Sequence, residues 1–149
     1  MTALAKTPLP LTFSPDVDLG HPALYFNREL SEIDFFWRVL YQASDERHPL
    51  LERIRFVSIT ASNLDEFVQK RVGGLRRQEA AGVQTPSTDG LTPAEQLKRV
   101  DQACLELQAM TSDIWANELE PLLRQKGIQI VKMTELAESE RAILKTYLF

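Results

Sequence analysis

Apolar side chains recur along this chain at the spacing of helices. The first set follows the i, i+3, i+4, i+7 order that places side chains on one face of a helix. Its members are Ile33, Phe36, Trp37 and Leu40. Ser31 precedes them, and Asp34 lies three residues later, which resembles a capping box. The pattern therefore predicts a first helix that begins near Ser31.

Two further apolar sets predict a second and a third helix. Pro49 can open the second, because proline at the first helical position loses no hydrogen bond. Its predicted inner face comprises Leu50, Leu51, Ile54, Val57 and Ser58. The third set comprises Leu64, Phe67, Val68, Val72 and Leu75. Ser62 and Asp65 repeat the N-cap and N3 pair, so the stretch "ASNLDEF" is predicted to start the third helix, and Gly82 to stop it.

A turn-rich loop and a long helix follow. Residues 82–92 concentrate Gly, Pro, Ser, Thr and Asp, which favour turns. Thr92, Pro93 and Glu95 then supply an N-cap, a first-turn proline and an N3 glutamate, so a helix should begin at Pro93. Pro121 is predicted to kink or divide this helix, and Gly127 to end it.

The pattern after Gly127 is short and irregular. "IQIV" at 128–131 alternates and is β-branched, which indicates a short strand or an extended link. A last apolar pattern then reaches Phe149 without a cap or breaker, so we expect the chain to be the front part of something longer. The whole pattern predicts an all-α helical bundle with one long helix in its C-terminal half.

Composition restricts the classes of partner and the cellular compartment. With 17 basic and 21 acidic side chains among 149 residues, the net charge of -4 gives no overall attraction to nucleic acid. Cys104 is the only cysteine, so an intrachain disulfide and the usual Cys/His zinc sites are excluded, which fits a reducing, cytoplasmic setting. Prolines interrupt the N-terminal residues, so they fail as a signal peptide. Residues 1–22 are interpreted as a flexible tail, and no transmembrane segment is expected.

The candidate chemistry lies in polar groups of the third predicted helix. If Ser62 caps that helix, the Asn63 amide is surplus, and its donors and acceptor could pair with an adenine edge; turn and capping duty is the alternative. Lys70, Arg71 and Arg77 could contact phosphate or a partner, or form a plain solvated face. No pattern indicates a nucleophile with its base.

Two stretches resemble a known family: "YFNRELSEIDFFWRVLYQASDERHPLLERIRFVSI" and "ASNLDEFVQKRVGGLRRQ". They are similar to the N-terminal domain of bacterial polyphosphate kinases of class 1, strongly over about residues 24–80. The resemblance implies a helical domain over 23–127 and the beginning of a head domain over 128–149. Glu32 and Phe36 depart from the tryptophan and asparagine common in the family, which alters the surface and packing of the first helix.

The resemblance also implies a role. The domain would seat the adenine of ATP through Asn63, with Phe56 flanking the base, while the terminal phosphate passes to a histidine and then to polyphosphate. That histidine and the Mg²⁺ site belong to later domains, and neither His21 nor His48 matches them. This chain would therefore hold no catalytic residue and no metal ligand, and would be inactive alone.

Partners and location follow from the same resemblance. ATP, polyphosphate and further copies of the parent enzyme are the implied partners, and a peripheral association of the parent with the inner membrane is left open. The alternative from another class is a noncatalytic helical interaction module or a truncated regulatory paralogue.

Overall fold

The computed structural model describes residues 18–148, Leu148 by its backbone alone. The α-helices are α1 Arg28–Ser44, α2 Leu50–Phe67, α3 Gly73–Ala80, α4 Pro93–Ile114, α5 Glu120–Gln125 and α6 Glu138–Leu148. Short 3₁₀ turns occupy Pro22–Leu24 and Met133–Glu135. Two π-helical turns, Val68–Val72 and Trp115–Leu119, join α2 to α3 and α4 to α5. No strand occurs within residues 18–148, so the predicted all-α fold is confirmed, with an unpaired link near 128–131.

The core lies where α1, α2 and α4 pack together, with α3 against α4. It consists largely of the predicted apolar faces, although Val68 of the third set is 39% exposed, and it is the main source of stability, because burial removes these side chains from water. The core residues include Ile33, Phe36, Leu40, Phe67, Val72, Leu75, Leu97, Val100, Cys104, Leu107, Ile114 and Leu119. On α2 the predicted inner face is only partly right, since Leu51 is 64% exposed and Ser58 is also exposed.

The predicted start of α1 is wrong by one turn. Asn27, not Ser31, is the N-cap: its side-chain oxygen accepts from the backbone N–H groups of Glu29 (3.0 Å) and Leu30 (3.1 Å). Ser31 lies inside the helix and is exposed. An asparagine is as good a cap as serine, and Asn27 is held there by contacts with α4 that a local pattern does not contain.

The predicted break between a second and a third helix is also wrong. Pro49 is the N-cap residue, and α2 runs without interruption through 61–67. Ser62 and Asp65 therefore cap nothing, because their backbone groups are already within a helix. Irregularity comes later, at the π-helical turn Val68–Val72, after which α3 ends where Gly82 was predicted to stop it. Gly82 has φ +69, and its N–H donates to the carbonyl of Glu79 (2.8 Å).

The predictions for α4 and α5 are confirmed. The Thr92 hydroxyl accepts from the Glu95 N–H, and the Glu95 carboxylate accepts from the Thr92 N–H (2.9 Å), which completes a capping box before Pro93. The helix is divided just before Pro121 by the π-helical turn Trp115–Leu119. A π turn accommodates the missing N–H and the bulk of the proline ring. Gly127, with φ +76, then follows the end of α5.

The segment after Gly127 contacts the bundle little. On α6 the apolar side chains Ile143 and Tyr147 are 60% and 86% exposed. Arg141 contacts the Thr134 carbonyl (3.3 Å) and Glu138 (3.8 Å), both within the same segment. Across residues 18–148, every helix is too short or too polar to span a bilayer. The predicted tail, 1–22, lies mostly outside the described residues.

Candidate functional site

A cavity of about 620 Å³ opens between the N-terminal half of α1 and the C-terminal part of α2. The residues that line it from α1 are Arg28, Glu32, Phe35 and Phe36. Those from α2 and the following π-helical turn are Asn63, Glu66, Phe67, Lys70 and Arg71. We call this space the α1/α2 cavity. It brings together three residues singled out from the sequence, Asn63, Lys70 and Arg71.

The Asn63 side chain lines this cavity. It is half-buried and makes no side-chain hydrogen bond to any residue of the described range 18–148. The sequence prediction left the Asn63 amide without a partner because Ser62 was expected to be an N-cap. In the structure Asn63 is not next to an N-cap. It lies in the middle of α2, where the backbone bonds are complete and the side chain projects toward the cavity.

Aromatic rings form one wall of the cavity. Phe36 packs edge-to-face on Phe67 with ring centroids 5.8 Å apart, and both are buried. Phe35 lies beside Phe36 at 6.2 Å and is 49% exposed. Arg38 lies over the Phe35 ring, 5.6 Å from its centroid, and the exposed remainder of the ring offers an apolar surface of the kind on which a base can stack.

Ion pairs surround this wall. Arg71 donates to both oxygens of Glu29, at 2.9 and 3.0 Å, and lies 3.9 Å from Glu32. Burial raises the pKa of the Glu29 carboxyl, an effect that the nearby Arg28 opposes. The bidentate bridge from Arg71 supplies the charge-assisted hydrogen bonds that a partly buried carboxylate needs.

The second cation is also paired. Lys70 donates to Glu66 one helical turn earlier, and this hydrogen bond lowers the pKa of the Glu66 carboxyl. Both groups are well exposed, so the pair contributes little to stability. At the cavity, the Glu66 carboxylate beside Lys70 offsets part of its positive charge.

Two predicted site residues do not line the cavity. Phe56 lies two turns before Asn63 on α2, with its ring 5.4 Å from that of His48. Seven residues of helix separate it from Asn63 by about 10 Å. Arg77 lies in the last turn of α3 and folds back over Gly73. The structure therefore does not bring Phe56 and Arg77 together with Asn63.

The sequence interpretation missed the residues of α1 that complete the cavity. Arg28, Glu32 and Phe35 are separated by four and three residues, so they share one helical face. The spacing can be read from the sequence, but the sequence pattern does not show which face of α1 packs against α2. The two histidines have other contacts: His21 caps the turn Pro22–Leu24, and the His48 ring is 3.0 Å from the Gln42 side-chain oxygen. Within residues 18–148 no cluster of three His, Cys, Asp or Glu side chains could hold a metal ion.

Cys104 lines a second groove, between α2 and α4, and its reactivity tests how well this part of the domain is packed. Burial and, to a smaller extent, Asp101 raise the pKa of its thiol to about 11. The thiolate is the reactive form, so iodoacetamide should alkylate the folded chain about a hundredfold more slowly at pH 8 than the urea-unfolded chain. The rate should rise with pH up to about 11. Mass spectrometry of the alkylated fraction against time measures it; equal rates for folded and unfolded chains would contradict the burial.

Comparison with known proteins identifies the family. The family described as "Polyphosphate kinase N-terminal domain" matches residues 25–131. A polyphosphate kinase of Halalkalibacterium halodurans is 44% identical over 131 residues, 87% of this chain and 19% of the relative. The one from Mycolicibacterium gilvum is 45% identical over 123 residues, 83% of this chain and 17% of the relative. That of Thermosynechococcus vestitus is 41% identical over 143 residues, 96% of this chain and 19% of the relative.

The chain thus spans less than a fifth of the length of these curated relatives. No solved structure matches it significantly. The family match covers most of the described bundle, from the turn before α1 to the link after α5. The chain therefore belongs to the polyphosphate kinase family, and residues 25–131 correspond to the N-terminal domain of that family.

Proposed function

We propose that this domain seats the adenine of ATP in the α1/α2 cavity, while other parts of the enzyme transfer the terminal phosphate to polyphosphate. The observation that carries the proposal is the Asn63 amide, which faces the cavity with no protein partner among residues 18–148. A carboxamide offers one acceptor and two donors. It can accept from the exocyclic amine of adenine and donate to a ring nitrogen beside it.

Phe35 is the ring that flanks the base in this proposal, in place of Phe56. It lines the same cavity as Asn63 and is half exposed, whereas Phe56 is half-buried against His48, about 10 Å along α2 from Asn63. A base that pairs with the Asn63 amide reaches Phe35 more readily than Phe56. Stacking on one ring and pairing with one amide give modest affinity, because the ligand's loss of freedom opposes them.

The chemical step belongs to the rest of the enzyme in this proposal. Phosphoryl transfer depends on positioning and on charge stabilisation around the γ-phosphate. The Mg²⁺ and the phosphate-accepting histidine implied by the family resemblance would lie beyond this domain. The domain alone is expected to bind ATP weakly and to transfer no phosphate.

The test is the Asn63→Ala variant of the full-length enzyme. The KM for ATP should rise about tenfold with little change in kcat, because an amide–adenine pair contributes roughly 1–3 kcal/mol in ground and transition states alike. The preference for ATP over GTP should fall by a similar factor. Steady-state kinetics with both nucleotides measures these effects.

The variant should keep the fold, since alanine is the better helix former at a mid-helix position such as 63. Asn117→Ala is the matched control, because Asn117 is exposed on another helix and contacts Asp113. It should leave both kinetic quantities unchanged. An Asn63→Ala enzyme with the parental KM and the parental nucleotide preference would refute the proposed seat.

A further inference from the structure

Three cations line the α1/α2 cavity, and they are not equivalent. Arg71 is held by both oxygens of Glu29, at 2.9 and 3.0 Å. Lys70 is paired with Glu66. A phosphate group would have to displace a carboxylate from either of them before it could bind. Arg71 is therefore a poor phosphate ligand, and Lys70, whose exposed pair with Glu66 is weak, is a less ready one than a cation without a close partner, although the sequence pattern had made both of them candidates.

Arg28 differs from both. Its side chain is 72% exposed, and its one ion-pair contact within the described part of the chain is 3.6 Å, from Nε to a Glu29 oxygen. That contact is longer than a hydrogen bond, and both Glu29 oxygens already accept from Arg71. The two terminal nitrogens of Arg28 thus retain their donors. They present the planar fork that matches phosphate oxygens.

The position of Arg28 along α1 fits a ligand that extends from the base site. Seven residues, two helical turns, separate it from Phe35 on the same wall of the cavity, a distance of about 10 Å. The base is seated at Phe35 and Asn63 in the function proposed above. One ribose unit then carries the phosphates of a nucleotide toward the other end of the cavity, where Arg28 lies.

We propose that Arg28 is the residue of this domain that contacts the phosphates of the bound nucleotide, a role that rests on the proposed seating of the base at Asn63. Arg71 has a different part, since its bridge to Glu29 fixes the wall from which Arg28 projects. The site takes a nucleoside polyphosphate, with the purine recognised by the amide and the anion by the guanidinium.

Calorimetric titration of the full-length enzyme with ATP and with adenosine tests this assignment. Arg28→Gln should weaken ATP binding about fivefold, because a charge-assisted hydrogen bond at an exposed site is lost, and should leave adenosine binding unchanged. Arg28→Lys keeps the positive charge but lacks the planar guanidinium, so its affinity for ATP should lie between those of the parent enzyme and of Arg28→Gln. Asn63→Ala should weaken the binding of ATP and of adenosine by the same factor.

Arg55→Gln is the matched control. Arg55 lies outside the cavity, is 70% exposed and is 3.6 Å from Glu52, so it resembles Arg28 in everything but position. It should change neither affinity. Unchanged ATP binding in Arg28→Gln would overturn the role of Arg28, as would an equal loss for ATP and adenosine, which indicates a distorted cavity. Adenosine binding that is unaffected by Asn63→Ala would instead count against the base site.

Discussion

Replacing Arg53 by alanine is expected to lower the free energy of unfolding of this domain by about 3 kcal/mol. The Arg53 side chain is only 8% exposed although it is charged. Its Nε donates to the carbonyl of Ala43 at 2.6 Å, and Nη2 donates to Glu118 at 3.2 Å. It thus ties the end of α1, where carbonyls lack helical partners, to the π-helical turn Trp115–Leu119. Alanine would leave the Ala43 carbonyl unsatisfied and create a void.

Urea denaturation followed by circular dichroism measures this effect, with Arg55→Ala as the control. Arg55 lies on the same helix with its side chain 70% exposed, so its replacement should change stability by less than about 0.5 kcal/mol. Glu118→Gln should have a small effect, because Glu118 is 44% exposed and the glutamine side-chain oxygen can still accept from Arg53. Equal stability of the Arg53 and Arg55 variants would mean that the buried bridge contributes nothing to the fold.

The parts of the fold that the sequence predicted correctly depend on signals within a few residues. Thr92 and Glu95 form a capping box with each other, so nothing distant is needed to start α4. Gly82 and Gly127 adopt positive φ, which other residues rarely do, and both end helices where predicted. Pro121 changes the helix locally because it lacks an N–H.

The stretch "ASNLDEF" shows why the same signals can mislead. Ser62 and Asp65 have the chemistry of a cap, but a cap residue permits a helix start and does not force one. No proline or glycine breaks the chain there, and Phe67 is buried in the core, so α2 gains packing by continuing. Tertiary packing decided between two locally acceptable structures. Asn63 as a ligand contact stays a prediction, now based on its place in the cavity.

The cavity itself could not be derived from local patterns. Glu29 and Arg71 are 42 residues apart, and their contact depends on how α1 lies against α2. The π-helical turn Val68–Val72 also changes the direction in which Lys70 and Arg71 project, and no simple sequence signal marks such a turn. The sequence could name cations near the site. It could not say that Lys70 and Arg71 are hydrogen-bonded to carboxylates while Arg28 has only a 3.6 Å contact with Glu29.

The structure gives structural roles to several residues of the stretches that carry the family resemblance. In "FNREL", Asn27 caps α1 and Glu29 bridges to Arg71, and in "HPLLERIRF", Arg53 holds the end of α1. Arg28 and Asn63 are different, because within residues 18–148 neither makes a side-chain hydrogen bond, and the one ion-pair contact of Arg28 is 3.6 Å. Polar residues with complete internal contacts stabilise the fold, and those that face a cavity without partners are the candidates for binding.

Asn27→Asp is expected to lower the free energy of unfolding by about 3 kcal/mol, although aspartate is an equally good helix cap. Asn27 is 9% exposed. Its amide nitrogen donates to the Asp89 carboxylate at 3.1 Å and to the Gln96 side-chain oxygen at 3.0 Å. Aspartate keeps the cap bonds to α1 but loses both donors, and it places a second carboxylate against Asp89 in a largely buried position.

A double-mutant cycle with Asp89→Asn measures how much of the loss comes from this pair of carboxylates. In the double variant the amide introduced at position 89 can donate to the carboxylate introduced at position 27, so the combined loss should be smaller than the sum by about 1–2 kcal/mol. Recovery of stability should be incomplete. To donate to the new carboxylate at position 27, Gln96 must rotate its amide, and it then loses the hydrogen bond that its Nε2 donates to the Leu91 carbonyl at 3.2 Å. Strictly additive losses would mean that Asn27 stabilises the domain as a cap alone, and that the loop before α4 is held by other contacts.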